Sequence, residues 1–365
     1  AHFPSITFAL FAIYAPTFIV TYFLKPDFEV IDDEIDVAVK ETLITPDSPD
    51  ESSNGLLTEE VDIEERITLE EKASTPWQIL VYGAPDSRKP RLSAVTFLIN
   101  LVLVLLTADA LYRARWFHPA SDLSFARLGY VSHSEAKLLL REPDQAKMPV
   151  TVEVRMADPH SPFDSGNAIW QVAGGLKSTS EIDDFTGVVK VALKSPRQRW
   201  YEWRTSNNHT GQFLAAPKPG ATPDYNDGKF TFLSTSCILP RFPYNPLDHP
   251  LSIPGMRHLA KRLPHLGAQF MLFLGDFIYV DVPQRFGRSI DEYRMQYRQV
   301  YASPEWQSVG QNLSWIHVLD DHEISNDWSS KDTGVYEAAV EPWDLYQANV
   351  NPPKAVKAGS SNLRR

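Results

Sequence analysis

Residues 3–24, FPSITFALFAIYAPTFIVTYFL, carry no charge over 22 positions, and a helix of that length at 1.5 Å per residue crosses a hydrocarbon layer of about 30 Å. Nothing else in the chain restricts its fold as strongly, because a stretch this apolar needs lipid or protein around it along its whole length. Pro16 is better tolerated in a membrane helix than in a soluble one, and Tyr14 and Tyr22 suit an interfacial belt. A cleavable signal peptide is the rival reading, but no basic n-region and no small-residue cleavage site precede Lys25-Pro26. Residues 92–112, LSAVTFLINLVLVLLTADALY, repeat the pattern between Arg88, Lys89 and Arg91 on one side and Arg113 and Arg115 on the other. Asp109 is the one acid within it and costs energy in lipid unless it reaches the interface. A buried core helix is the alternative for this second stretch. The sequence thus predicts an integral membrane protein with two N-terminal transmembrane helices, over 1–26 and 92–113, and the lipid bilayer as a partner. Cationic flanks at both ends of the second stretch leave open which side the rest of the chain occupies.

The formal charge of −11 is unevenly spread: Asp27 to Lys72 holds 17 acidic and 3 basic residues. This composition, poor in aromatics, predicts an acidic disordered loop over 27–91. No basic patch points to nucleic acid. A single cysteine, Cys237, excludes an internal disulfide and a paired-cysteine zinc site. The remaining length, in a chain of 365 residues, suits two further units.

Residues 114–147 are expected to form a linker with helical parts. From 148 to 225, short alternating runs such as VTVEVRM, GVVKVAL and RWYEWRT, broken by Gly, Pro, Asn and Asp, predict antiparallel strands in a small β-sandwich. Trp170, Trp200, Tyr201 and Trp203 are expected to pack in its core or on its sheet faces. From 226 to 350 the apolar runs KFTFLSTSC, AQFMLFLGD and SWIHVLDD are unbroken and separated by helical stretches. That is the pattern of a β-α-β layer whose strands are covered on their faces, with chemistry at their carboxyl ends. A polar tail, 351–365, follows.

Three of those strand ends carry metal-ligand residue types. Cys237 follows FTFLSTS; alone, a cysteine there is more often a small buried hydrophobe. LGDFIYVD, residues 274–281, delivers Asp276 at the tip of an apolar strand, where a carboxylate wants a partner or a cation. Tyr279 lies three residues on and can offer a phenolate to the same cation, and Asp281 reads as a turn or helix cap. VLDDHEISND, residues 318–327, places Asp320, Asp321, His322 and Glu323 together, and neighbouring carboxylates raise one another's pKa unless a cation compensates them. A strand-GD-x-x-Y and a strand-DDHE form a more specific signal together than either does alone.

On these motifs, and on GDFIYVDVPQRFG and YRQVYASPEWQ, the region from about 230 to 350 resembles the PhoD-like (alkaline phosphatase D) metallophosphatases, in particular their fungal, membrane-anchored members. The resemblance implies an α/β metallophosphoesterase-like sandwich, here partial, preceded by an all-β immunoglobulin-like domain. It implies a binuclear metal site of iron and calcium, with zinc or manganese as alternatives, and a phosphoester substrate, monoester or diester. By position, Asp276 matches the carboxylate that bridges the two metals, Cys237 and Tyr279 match iron ligands, Asp321 the ligand of the second metal, and His322 the catalytic histidine facing the phosphoryl group. The wider class takes further ligands from segments well beyond the DDHE motif, and no late histidine motif follows Glu323; the expectation is a C-terminally truncated, incomplete site. His249, His258, His265 and His317 read as loop or structural residues. A catalytically incomplete membrane scaffold and a phospholipid-cleaving metal hydrolase are the competing readings. Asn208 and Asn312 stand in glycosylation sequons, which matter only if their side of the membrane is lumenal.

Overall fold

The computed structural model describes residues 3–24, 28–44, 56–71, 74–157, 169–282 and 286–354. It divides into two compact units, one of Ser5–Leu105 and one of Leu106–Arg365 together with Ala1–Pro4.

Helix α1 (Phe3–Leu24) belongs, from Ser5 on, to the first unit, and helix α3 (Pro90–Phe117) starts in that unit and enters the second at Leu106; each is long and apolar enough to cross a membrane. Phe97 of α3 stands against Phe11, Tyr14 and Phe18 of α1, and Asn100 Nδ2 donates to the Tyr14 hydroxyl at 3.4 Å. Short helix α2 (Pro76–Tyr82) starts on a capping box, with Gln78 N donating to Thr75 Oγ1 and Thr75 N to Gln78 Oε1. It stops at Gly83, whose φ of 70° favours glycine.

The acidic stretch expected to be disordered contains β1 (Phe28–Ile44) and β2 (Leu56–Glu71), paired antiparallel with Val37 opposite Ile63 and Val39 opposite Val61. Ile35, Val37 and Val39 in β1 and Val61 and Ile63 in β2 fall at alternate positions, the period of a strand, and composition alone hides that period. Val37, Val39 and Ile67 are about half exposed.

After the end of α3, which takes up 114–117 of the expected helical linker, the second unit continues in strands. Strands β3 (Phe125–Val131), β4 (Glu135–Arg141) and β7 (Thr186–Ala192) form one antiparallel sheet, in that order. The order β6 (Gln171–Leu176), β5 (Val150–Met156), β8 (Trp200–Thr205), β9 (Thr210–Leu214) makes the second. The sandwich therefore begins near 125 rather than 148. The run EAKLLLR of β4 looks helical because Ala, Lys and Leu are good helix formers, but it is a central strand covered on both faces. Leu138 and Leu140 enter the core between the sheets with Trp203, Tyr201 and Phe213, while Leu139 faces the other way and packs with Phe125, Phe273 and Tyr297. Trp170 lies outside this core, with Arg155 and Arg204 over its ring.

Beyond the sandwich, β10 (Thr231–Thr235), β11 (Ala268–Phe273) and β12 (Ser314–His317) form a parallel sheet in that order. Between β10 and β11 runs helix α4 (Pro254–Leu266), and between β11 and β12 run α5 (Ile290–Tyr301) and α6 (Trp306–Gly310). Helix α7 (Tyr336–Tyr346) closes the layer. Helix α5 begins on a Ser289–Glu292 capping box and buries Tyr293, Tyr297 and Tyr301, one stripe at a spacing of four. His317 is buried among Phe273, Phe277 and Trp315, and burial pushes its pKa well below the usual value, as a structural histidine's should be. Residues 355–365 of the expected polar tail lie outside the described residues.

Candidate metal centre

Because β10, β11 and β12 run parallel, their carboxyl ends open on one side, and the segments after them meet there. The segment after β10 adds to the one after β11: Cys237 N donates to Gly275 O at 3.2 Å and Ile238 N to Asp276 O at 3.1 Å. Gly275 has φ 104°, and a Cβ on it would lie 2.2 Å from Cβ of Asp320, so the segment after β12 can approach only a glycine here. Cys237 and Asp276 also take left-handed φ values, 63° and 60°, which are costly outside glycine and turn both side chains off their strands.

These turns bring the donors together. Asp276, only 7% exposed, receives the Cys237 thiol at 3.2 Å and the Tyr279 hydroxyl at 3.3 Å on one carboxylate oxygen, Oδ2. Its other oxygen is buried and takes no hydrogen bond among the described residues. Ligand atoms of Asp276, Asp321 and His322 all lie within 4.8 Å of one another. Burial, the hydrogen bond with Cys237 and the charge of Asp276 push the Tyr279 phenol well above its usual pKa. Asp320 is raised by burial and then by the charges of Asp276 and Asp321. A thiol and a phenol that both give their protons to one carboxylate are the proton-filled counterpart of a cation site. The donor set fits a metal, since a cation can replace those protons and relieve the crowded acids.

Two residues of the site escaped the sequence reading. Asp281, expected as a turn or cap, is buried and accepts from His322 Nδ1 at 2.9 Å and from Asn326 N. That bond fixes the ring, and Tyr279 covers it at 4.5 Å between centroids. Burial opposes a charge on His322, but Asp281, then Asp276 and Asp321, outweigh it and raise its pKa. Glu323, fully buried, accepts from Phe277 N at 2.6 Å and Asp320 N at 3.0 Å, and so ties the two acidic loops together. Burial pushes it up to about 7 against the pull of those donors. A buried glutamate at the end of DDHE has its signal in the motif; the partner of Asp281 is set by a loop 41 residues away and has none.

Residues 232–352 match the PhoD-like phosphatase family model. That PhoD-like region, a third of the chain, contains all five of the residues singled out from sequence. A solved chain titled "Structure of PhoD" is similar at 19% identity, with a TM-score of 0.41, over 60% of this chain and 44% of that one. The chain therefore spans less than half the length of that solved relative. No curated protein matches.

Proposed function

We propose that this protein is a membrane-anchored, metal-dependent phosphoesterase that hydrolyses phosphate monoesters or diesters at a binuclear site. The observation that carries this reading is the convergence of the Cys237 thiol, the Tyr279 phenol, the Asp321 carboxylate and the His322 ring on Asp276, whose second oxygen is buried without a hydrogen-bond partner among the described residues. Cys237, Tyr279 and Asp276 would hold one cation, and Asp276 and Asp321 the second, with iron on the side of the soft thiolate and calcium among the hard oxygens, and zinc or manganese as alternatives. Such cations polarise a phosphoryl group and lower the pKa of a bound water. Asp281 holds the His322 ring by Nδ1, leaving Nε2 to donate a proton to the departing oxygen. Glu323 keeps the two acidic loops in register, and Gly275 lets them touch.

The two long apolar helices support anchoring to a bilayer. Seven strands in the orders β3-β4-β7 and β6-β5-β8-β9 support an immunoglobulin-like reading of the sandwich. The membrane helices also favour a lipid phosphoester as an alternative substrate, which parallel assays on vesicles and on soluble aryl esters distinguish. The decisive experiment measures metal content and hydrolysis of an aryl phosphomonoester and diester before and after chelation, alongside Asp276→Asn. Turnover should fall by at least about a thousandfold in both cases, the loss of about 4 kcal/mol of transition-state stabilisation. Full activity after exhaustive chelation rules the reading out, and a protein that binds no metal and turns over neither ester is the inactive scaffold.

A further inference from the structure

Helix α3 carries a single acid, Asp109, and that acid is not left to solvent. Its Oδ2 accepts from Arg241 Nη2 at 2.6 Å and from the Tyr244 hydroxyl at 2.9 Å, and its Oδ1 from Arg113 Nη1 at 3.4 Å. Arg241 Nη1 also donates to the Asp109 carbonyl oxygen at 2.9 Å, so one guanidinium grips both the side chain and the backbone of the helix. Arg241 is 7% exposed, and its guanidinium carbon lies 5.0 Å from the centre of the Tyr244 ring.

Arg241 belongs to the segment that starts at Cys237. This segment is fastened at three places. At its start, Cys237 N and Ile238 N donate to Gly275 O and Asp276 O. At its end, Ser252 Oγ and Ile253 N donate to the Glu305 carboxylate. In the middle, Arg241 N donates to Ser252 O at 2.7 Å while its guanidinium holds Asp109. The first and last fastenings lie within the α/β layer; the middle one reaches α3. Cys237 and Arg241 both take left-handed φ values, 63° and 57°, that non-glycine residues avoid. Three residues separate them, and the four steps from one to the other span at most about 14 Å of extended chain. The end at Cys237 is held by the two backbone hydrogen bonds and by Ile238 packing against the core, and the hold of Arg241 on Asp109 adds the restraint at the other end.

We infer that Asp109 is a positioning residue for Cys237: through Arg241 it holds the segment in the conformation that brings the thiol to Asp276. This rests on the reading of Cys237 as a metal ligand for its consequence, though not for its geometry. The acid in the apolar helix then serves to lock the segment carrying the thiol to the helix end, and the helix end becomes part of the scaffold of the centre.

The test compares the full wild-type chain with Asp109→Asn, Arg241→Gln and the double variant, all in detergent micelles. Amide hydrogen exchange is followed in the peptide covering Cys237 and Ile238 without added metal. The inference expects each single variant to speed that exchange at least about tenfold, with β4 and β8 unchanged, and the double variant to be no faster than the faster single. A Co²⁺ titration read by thiolate-to-metal absorption, which only Cys237 can supply in this chain, should show weaker binding in Asp109→Asn by about the same factor. Wild-type exchange in Asp109→Asn, additive effects in the double variant, or exchange rising equally in β4 and β8 each overturn it. If the wild type shows no thiolate band at all, the reading of Cys237 as a ligand fails, while the exchange data still decide whether Asp109 holds the segment.

Discussion

The two sheets at the heart of the second unit are covered in opposite ways. Antiparallel sheets commonly leave one face to water and parallel sheets bury both, yet here the antiparallel strand β4 has Leu138, Leu139 and Leu140 buried on its two faces. The parallel sheet buries Met271, Phe273 and Trp315 on one face and leaves Phe232, Leu274 and Val318, on its strands or one residue past them, 44–50% exposed on the other. Packing therefore secures the β3-β4-β7 sheet from both sides and the candidate centre from one. On the centre's side, polar fasteners make up the difference: Glu323 joins the acidic loops, Glu305 holds the end of the Cys237 segment, and Asn351 pairs with both His317 N and His317 O along the edge of β12.

The largest effect expected from this contrast is at Leu139. With Phe125 of β3, its side chain is how the sandwich contributes to the core beneath the parallel sheet, so truncation leaves a cavity between two packed layers. Leu139→Ala should cost about 2–5 kcal/mol, read as a lower midpoint in a urea melt with unchanged slope. A cost below about 1 kcal/mol would show that β4 is not the shared wall described above.

Acid should separate the two regions next. Burial alone raises the pKa of Glu305, but donors from Ser252, Ile253 N, Ser303 and Arg257 outweigh it and hold the group at about 2, against an ordinary 4.5. The folded state thus binds this proton less readily than the unfolded chain. Its stabilisation is complete above about pH 4.5 and disappears as pH falls towards 2, and after allowance for solvent screening amounts to about 2 kcal/mol. Hydrogen exchange at Ile253 should therefore rise between pH 4.5 and 2, after correction for the intrinsic rate, before exchange rises in β4 and β8. In Glu305→Gln this acid-dependent step should vanish. Its persistence would place the labile group elsewhere.

What could be read from the sequence divides along the same line. The three strand ends were legible because each motif is local: an apolar run stops, and a cysteine, an aspartate or DDHE follows. The layer that carries them was legible from unbroken runs alternating with helical stretches. Strand β4 was not, because EAKLLLR has the composition of a helix and only long-range pairing with β3 and β7 makes it a strand. The ribbon of β1 and β2 was hidden by its charge, although Ile35, Val37 and Val39, and Val61 and Ile63, kept the period of two. Within the candidate centre, the residues that gather on Asp276 were visible, but the residues that set their geometry were not. Gly275 matters because Asp320 approaches it, and Asp281 because His322 does, and both approaches depend on a parallel sheet whose register no single stretch of sequence contains.

The smallest effect is expected on the open face. Phe232 is half exposed and stacks on Phe270 with centroids 5.2 Å apart and planes 6° from parallel. Phe232→Ser removes that stack and some area already in contact with water, so it should cost about 1 kcal/mol or less. The same urea melt used for Leu139→Ala measures it, and the ratio of the two losses tests the contrast more directly than either value. A loss as large as that at Leu139 would mean that Phe232 lies against another surface in the native protein. The parallel sheet would then be covered on both faces after all, and the polar fasteners around the centre would be supplements to packing and not substitutes for it.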